Sequence, residues 1–154
     1  MSAAHAHLLL NHIPILGTLF GLLLLLYALV RKNDDIKKAS LGVFVITSLI
    51  TIPAFLSGLG AAAIFHDITH DLTGGSEIII EQHRQAALIM LVAVALLGVV
   101  ALMSLWLSRH SPNIRGWIVA MSLALAVISV GLGMWAGNLG GQVRHTEVRE
   151  SFYK

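Results

Sequence analysis

Four stretches without a single charged side chain constrain this protein more than any other feature of its sequence. They cover residues 13–30, 39–65, 86–107 and 117–139 and are 18 to 27 residues long. A helix needs about 20 apolar residues to cross the hydrocarbon core of a bilayer, so each stretch has a suitable length. Only 12% of the residues are charged, whereas ordinary soluble domains carry about 25%. The sequence therefore excludes a soluble enzyme, a nucleic-acid-binding protein and a disordered chain.

The stretches predict an all-α fold, an integral membrane four-helix up-down bundle that forms one domain over residues 1–154. The two connections on one side of the bundle, residues 31–38 and 108–115, are short, which favours antiparallel neighbours. A short polar extension is expected over residues 142–154. We expect the four spans at about residues 12–30, 39–65, 84–107 and 116–140.

The distribution of basic residues predicts how the bundle is oriented in the lipid bilayer. The two short connections carry six of the ten Lys and Arg residues. Six of the eight acidic residues and seven of the eight histidines belong to the opposite side, together with both termini. Cytoplasmic loops of membrane proteins are enriched in Lys and Arg. The sequence thus predicts a multi-pass protein of the bacterial inner membrane with both termini on the periplasmic side.

Histidines are concentrated at the outer ends of the predicted helices, and each helix contributes one imidazole: His12, His66, His83 and His145. Residues four positions apart share one face of a helix. Gly58 lies eight positions before His66 on such a face. Gly137 and Gly141 lie eight and four positions before His145. The helix surface next to these imidazoles is therefore expected to be clear of side chains, which leaves room for a flat ligand.

Imidazoles beside a cleared surface favour a b-type haem. Bis-histidine ligation requires two imidazoles on facing helices, and the four histidines suffice for one haem or two, with the pairing left open. Arg84 directly follows His83, and Arg144 directly precedes His145. Both arginines are expected to contact the haem propionates. The three glycines are expected to line the ring. This predicts a b-type cytochrome-like electron-transfer protein that exchanges electrons with quinone or quinol or with a periplasmic redox protein.

Two alternatives remain open at this stage. The first is a transition-metal site for Zn, Cu or Fe, because His66 and His70 are separated by one helical turn. Further ligands could come from His12, His83 and His145. The second is a cofactor-free structural subunit of a larger membrane complex, since small-residue ridges are common helix-packing surfaces. His5 and His7 lie in a stretch expected to be flexible and are predicted to have no role. No catalytic triad, phosphate loop or HExxH motif is present.

Two short motifs carry a resemblance to a known family. Residues Asn11-His12-Ile13-Pro14 open the first predicted helix, and Gly140-Gly141-Gln142-Val143-Arg144-His145 end the fourth. Together they resemble a family of small bacterial four-helix membrane proteins of unassigned function whose suspected cofactor is haem b. The resemblance implies the membrane-bundle architecture and haem binding, and it implies no particular activity. The histidine-bearing middle loop departs from the family pattern.

Overall fold

Five α-helices make up the part of the chain that the computed structural model describes, namely residues 2–68, 74–109 and 116–145. α2 packs against α3, α3 against α4 and α4 against α5, and α5 closes back onto α2. Four helical segments, the first formed by α1 and α2 together, are long and apolar enough to cross a membrane. The predicted all-α fold with four long apolar helices is confirmed. In chain order the helices are α1 (Ala3–Leu10), α2 (His12–Arg31), α3 (Asp34–Ile68), α4 (Gly74–Leu107) and α5 (Gly116–Arg144).

The N-terminal segment differs from the sequence expectation, because it is helical and packed. α1 precedes the predicted first span and is separated from α2 by Asn11. The cause of the interruption is Pro14, which lacks the N–H that would bond to the carbonyl of Leu10 and whose ring crowds that carbonyl. α1 packs against α3, where a Cβ atom at Gly60 would lie only 2.7 Å from the Cβ of Ala3. The N-terminus therefore belongs to the bundle.

The helices α3 and α4 are longer than their predicted spans. α4 begins at Gly74, whereas the uncharged pattern placed its start near residue 84. The additional turns combine polar residues with three isoleucines, and contacts along the helix help to hold them: Glu81 accepts hydrogen bonds from Arg84 and Gln85. Pairs at these spacings stabilise an exposed helix surface. The absence of charged residues therefore identifies the apolar part of a helix and does not show where the helix begins or ends.

A tight turn joins α2 to α3 at one end of the bundle. Lys32 adopts a left-handed conformation with φ of 50°, and its N–H bonds to the carbonyls that end α2. The side chain of Asn33 accepts a hydrogen bond of 3.0 Å from the N–H of Ile36 and so caps the start of α3. Close to this turn lies the main hydrophobic core, formed by Leu22, Leu25, Leu41, Phe44, Leu97, Ala101, Val119 and Ala126. The core fills this half of the bundle and leaves the other half for the candidate site.

Replacing Ser40 by alanine is expected to destabilise the protein by about 0.6–1.7 kcal/mol, which are the average and the maximum from double-mutant cycles on hydrogen bonds between membrane helices. Ser40 is fully buried on α3, and its hydroxyl donates a 2.8 Å hydrogen bond to the carbonyl of Gly21 on α2. The measurement is thermal unfolding of the purified protein in detergent.

A matched control for this prediction is Ser122→Ala. The hydroxyl of Ser122 is also buried, but among the described residues it has no hydrogen-bond partner. Removing an unpaired buried hydroxyl costs nothing or stabilises, so Ser122→Ala is expected to unfold at or above the wild-type temperature. Equal destabilisation by the two variants would contradict the prediction.

Candidate functional site

A cavity of about 450 Å³ lies in the half of the bundle away from the core. All five helices contribute to its wall, which consists largely of aliphatic side chains and of small residues on α3 and α5. Protein cavities that bind small molecules and cofactors have volumes of about 300–1,000 Å³ and are mostly apolar with a few polar groups. Among the described residues, the titratable side chains in the wall are four imidazoles, those of His7, His12, His83 and His145. The cavity is therefore of a suitable size and composition for a cofactor held by histidine.

His7 reaches the cavity from α1. Its ring is partly buried, and its Nδ1 lies 3.2 Å from the carbonyl oxygen of Ala54 on α3. One turn further along α3, the ring lies against Gly58. A Cβ atom at Gly58 would lie 2.9 Å from the Cε1 of His7. Glycine at position 58 thus makes room for the imidazole of the neighbouring helix.

His83 reaches the cavity from α4 in the same manner. Its Nδ1 lies 2.9 Å from the carbonyl oxygen of Ala136 on α5. One turn further along α5, a Cβ atom at Gly140 would lie 3.0 Å from the Cε1 of His83. Each of the two imidazoles is therefore held by an alanine carbonyl and a glycine four residues later, on a different helix from its own. The ring centroids of His7 and His83 are 6.4 Å apart.

His12 and His145 line the same cavity but are more accessible. Both are exposed. His12 forms a hydrogen bond through Nδ1 to the side chain of its neighbour Asn11. The backbone N–H of His145 bonds to the carbonyl of Gly141 and so extends the last turn of α5. Three of the four outer histidines predicted as ligands, His12, His83 and His145, thus line one cavity.

The remaining predicted site residues are placed differently or lie outside the described part. The backbone of His66 belongs to the last turn of α3, but its side chain is not described, nor is that of Arg144. His70 lies outside the described residues. Arg84 is exposed and forms a salt bridge of 2.6 Å with Glu81 on the same helix. The pair forms two hydrogen bonds, so the guanidinium is already engaged in this structure.

The three glycines predicted to line a cofactor all contribute to the cavity wall, but they meet different neighbours. Gly58 faces the His7 ring, as described above. A Cβ atom at Gly137 would contact the side chain of Ile15 at 3.3 Å, whereas one at Gly141 would meet no atom within 4 Å. The small-residue surface therefore has two uses: part of it receives imidazoles from neighbouring helices, and part of it borders open space.

Among the described residues, no group of three or more His, Asp or Glu side chains is arranged to hold a bare metal ion. The pair of His66 and His70 on which the metal alternative depends is not covered by this statement. The alternative thus stays a prediction that the structure leaves untested.

His7 is the functional candidate for which the sequence pattern predicts no role. The sequence does contain a signal that residues 3–10 extend the first apolar segment. No charged residue occurs before Arg31, so the first uncharged stretch reaches the N-terminus. The segment 3–10 is rich in Ala and Leu, which are strong helix formers. The sequence does not show how α1 is oriented relative to α2 across the interruption at Asn11. This orientation brings His7 to α3.

Comparisons with known proteins offer no further guide: no family model, no curated protein and no solved structure matches this chain. The resemblance described from the two short motifs therefore stays a prediction, and the function has to be inferred from the cavity and its imidazoles.

Proposed function

We propose that this protein is a membrane-embedded electron-transfer protein that binds haem b in the cavity between its helices. The observation that carries the proposal is the convergence of four imidazoles, from α1, α2, α4 and the end of α5, on one largely apolar cavity of about 450 Å³. Imidazole is the common axial ligand of haem iron, and an apolar surround is one of the means by which proteins tune its potential. When bound, haem supplies one-electron redox chemistry.

The exposed surface of the bundle supports a location within a lipid bilayer. Large apolar side chains are exposed along the helices, for example Val30 at 80%, Met134 at 67% and Leu49 at 63%. Such extensive apolar faces would be unfavourable in water and are suited to contact with lipid. The basic residues at the α2–α3 turn and between α4 and α5 favour a cytoplasmic location for that end. The cavity then lies near the periplasmic face of a bacterial inner membrane, and both termini are periplasmic.

The position of the cavity restricts the route of electrons. In the described part of the half of the bundle near the α2–α3 turn, the buried side chains are apolar or hydroxylic, and histidine is absent. A second bis-histidine haem is therefore not supported there, and a continuous path of haems across the membrane is not expected from this chain alone. Exchange at the periplasmic side, with quinol in the outer leaflet or with a periplasmic redox partner, fits this arrangement best.

A difference spectrum tests the proposal directly. The protein is expressed with sufficient haem supply, purified in detergent, and recorded in the reduced and oxidised states. We expect a b-type α-band in the reduced-minus-oxidised spectrum, with about one haem per chain by pyridine haemochrome assay, since a cavity of this size is of the order that one cofactor requires. Colourless protein with stoichiometric zinc or copper by elemental analysis would contradict haem binding and favour the bare-metal alternative. Protein with neither haem nor metal would favour a structural role.

A further inference from the structure

Two of the four imidazoles in the cavity, those of His7 and His83, are held by the same local arrangement. In each case Nδ1 lies beside an alanine carbonyl of a neighbouring helix, at 3.2 Å for His7 and 2.9 Å for His83. In each case the ring rests on a glycine four residues after that alanine. α1 supplies one ring to α3, and α4 supplies the other to α5.

From this arrangement we infer that His7 and His83 are the two axial ligands of a single haem iron in the cavity. The inference rests on the proposed function and deepens it, because the sequence pattern assigns no role to His7 and pairs no two histidines. His12 and His145 border the same cavity without being the ligands.

The carbonyl contacts determine which nitrogen of each ring is available. A carbonyl oxygen only accepts hydrogen bonds, so Nδ1 of both rings carries the proton and donates it. In the neutral imidazole the lone pair then resides on Nε2, the nitrogen that binds a metal. Metal-ligating histidines commonly donate their other ring N–H to a backbone carbonyl or carboxylate, which fixes the tautomer and the ring orientation. His7 and His83 have this partner on a separate helix.

The separation of the two rings matches that of two imidazoles bound to one metal ion. A metal–imidazole bond is about 2.0–2.1 Å long and the ring centre lies about 1.1 Å beyond the nitrogen, so ligands on opposite sides of one ion have centroids roughly 6.3 Å apart. The centroids of His7 and His83 are 6.4 Å apart. Their planes cross at 73°. An angle of this size is compatible with two axial ligands when both ring planes contain the line that joins the rings through the metal ion.

The two other imidazoles are more accessible to solvent. His12 is exposed, and the side chain that bonds to its Nδ1 belongs to the adjacent residue Asn11. A contact within one turn of chain orients a ring less firmly than a carbonyl of a packed neighbouring helix. His145 is exposed and follows the last residue of α5. Preorganised ligands bind a cofactor with a smaller loss of conformational entropy, which favours His7 and His83.

The test compares the haem spectra of single variants in the full chain. We expect His7→Ala and His83→Ala each to convert the haem from six-coordinate low-spin to five-coordinate high-spin, and to weaken haem binding by at least about tenfold, the lower end of the effect of losing a supporting partner of a metal ligand. Added imidazole is expected to restore the low-spin spectrum. The matched control is His5→Ala, because His5 is an exposed histidine on the same helix whose neighbour is Ser2.

A second pair of variants keeps the test decisive where an alanine variant fails to fold. In His7→Met and His83→Met a thioether takes the place of the imidazole, and His/Met ligation raises the reduction potential of haem. A low-spin spectrum with a raised midpoint potential supports the inference, and a purely structural role for the two histidines would leave the potential unchanged.

The outcomes separate this inference from the proposed function. A wild-type protein that binds no haem overturns both. Wild-type haem that stays low-spin, with unchanged potential, in all variants of His7 and His83 overturns only the ligand assignment. Loss of the low-spin spectrum in His12→Ala or His145→Ala, with His7 and His83 variants unaffected, likewise overturns it and transfers the ligand role to the other pair.

Discussion

For the proposed haem protein, replacement of Gly140 by valine is expected to lower the haem content after purification at least about tenfold, the lower end of the effect of losing a partner that orients a metal ligand. A Cβ atom at this position would lie 3.0 Å from Cε1 and 3.3 Å from Nδ1 of His83. The two further carbons of valine increase the overlap, so the ring is displaced from the carbonyl of Ala136. The measurement is haem per chain by pyridine haemochrome assay.

Two further variants calibrate this result. Gly140→Ala is expected to have a smaller effect, because the contacts of Cβ at 3.0 and 3.3 Å require the ring to shift by only a few tenths of an ångström. Gly131→Val is the matched control on the same helix, since Gly131 is exposed and a Cβ atom there would meet no atom within 4 Å. Wild-type haem content in Gly140→Val would show that the placement of His83 against α5 does not support the cofactor.

Replacement of Phe44 by alanine is expected to have the largest effect on stability, a loss of about 3–5 kcal/mol in the free energy of unfolding, as for other fully buried phenylalanines. Phe44 is 0% exposed and belongs to the main core. α2 approaches its ring so closely that a Cβ atom at Gly21 would lie 2.5 Å from Cε1. The measurement is reversible unfolding in mixed detergent micelles.

The matched control for this prediction is Phe20→Ala. Phe20 is the same residue type, lies on α2 next to Gly21 and is 59% exposed, so its truncation is expected to change stability by less than about 0.5 kcal/mol. In the Phe44→Ala background, Gly21→Val is expected to recover part of the loss, because its side chain enters the space that the ring vacates. Equal effects of Phe20→Ala and Phe44→Ala would contradict the description of the core.

Much of the architecture could be predicted from the sequence because membrane-length apolar segments depend on local composition. The uncharged runs identify four long apolar helices, and the structure has them. The same criterion places the start of α4 too late, since the turn around Glu81 and Arg84 is stabilised by side-chain pairs that hydropathy does not measure. It also treats the N-terminus as flexible, although α1 is fixed by its contact with α3.

The candidate site could be predicted only in part. The sequence places His12, His83 and His145 at helix ends on one side, and in the structure they line one cavity because the ends of antiparallel helices meet. The same reasoning assigns Gly58 to a cofactor surface, whereas the ring of His7 lies against it. The spacing of small residues along one helix shows that part of its surface has no large side chains. It does not show which neighbouring side chain or ligand occupies that surface.

The sequence by itself determined that this protein consists of long apolar helices, because the near absence of charge over four stretches is a property of each segment alone. It also determined that imidazoles gather at one end of the bundle. Only the tertiary structure decided that the ring centroids of His7 and His83 lie 6.4 Å apart. That decision depends on the interruption caused by Pro14, on the packing of α1 against α3, and on glycines that admit rings from other helices. These contacts join residues 47 and 53 positions apart, and no local pattern in the chain encodes such distances.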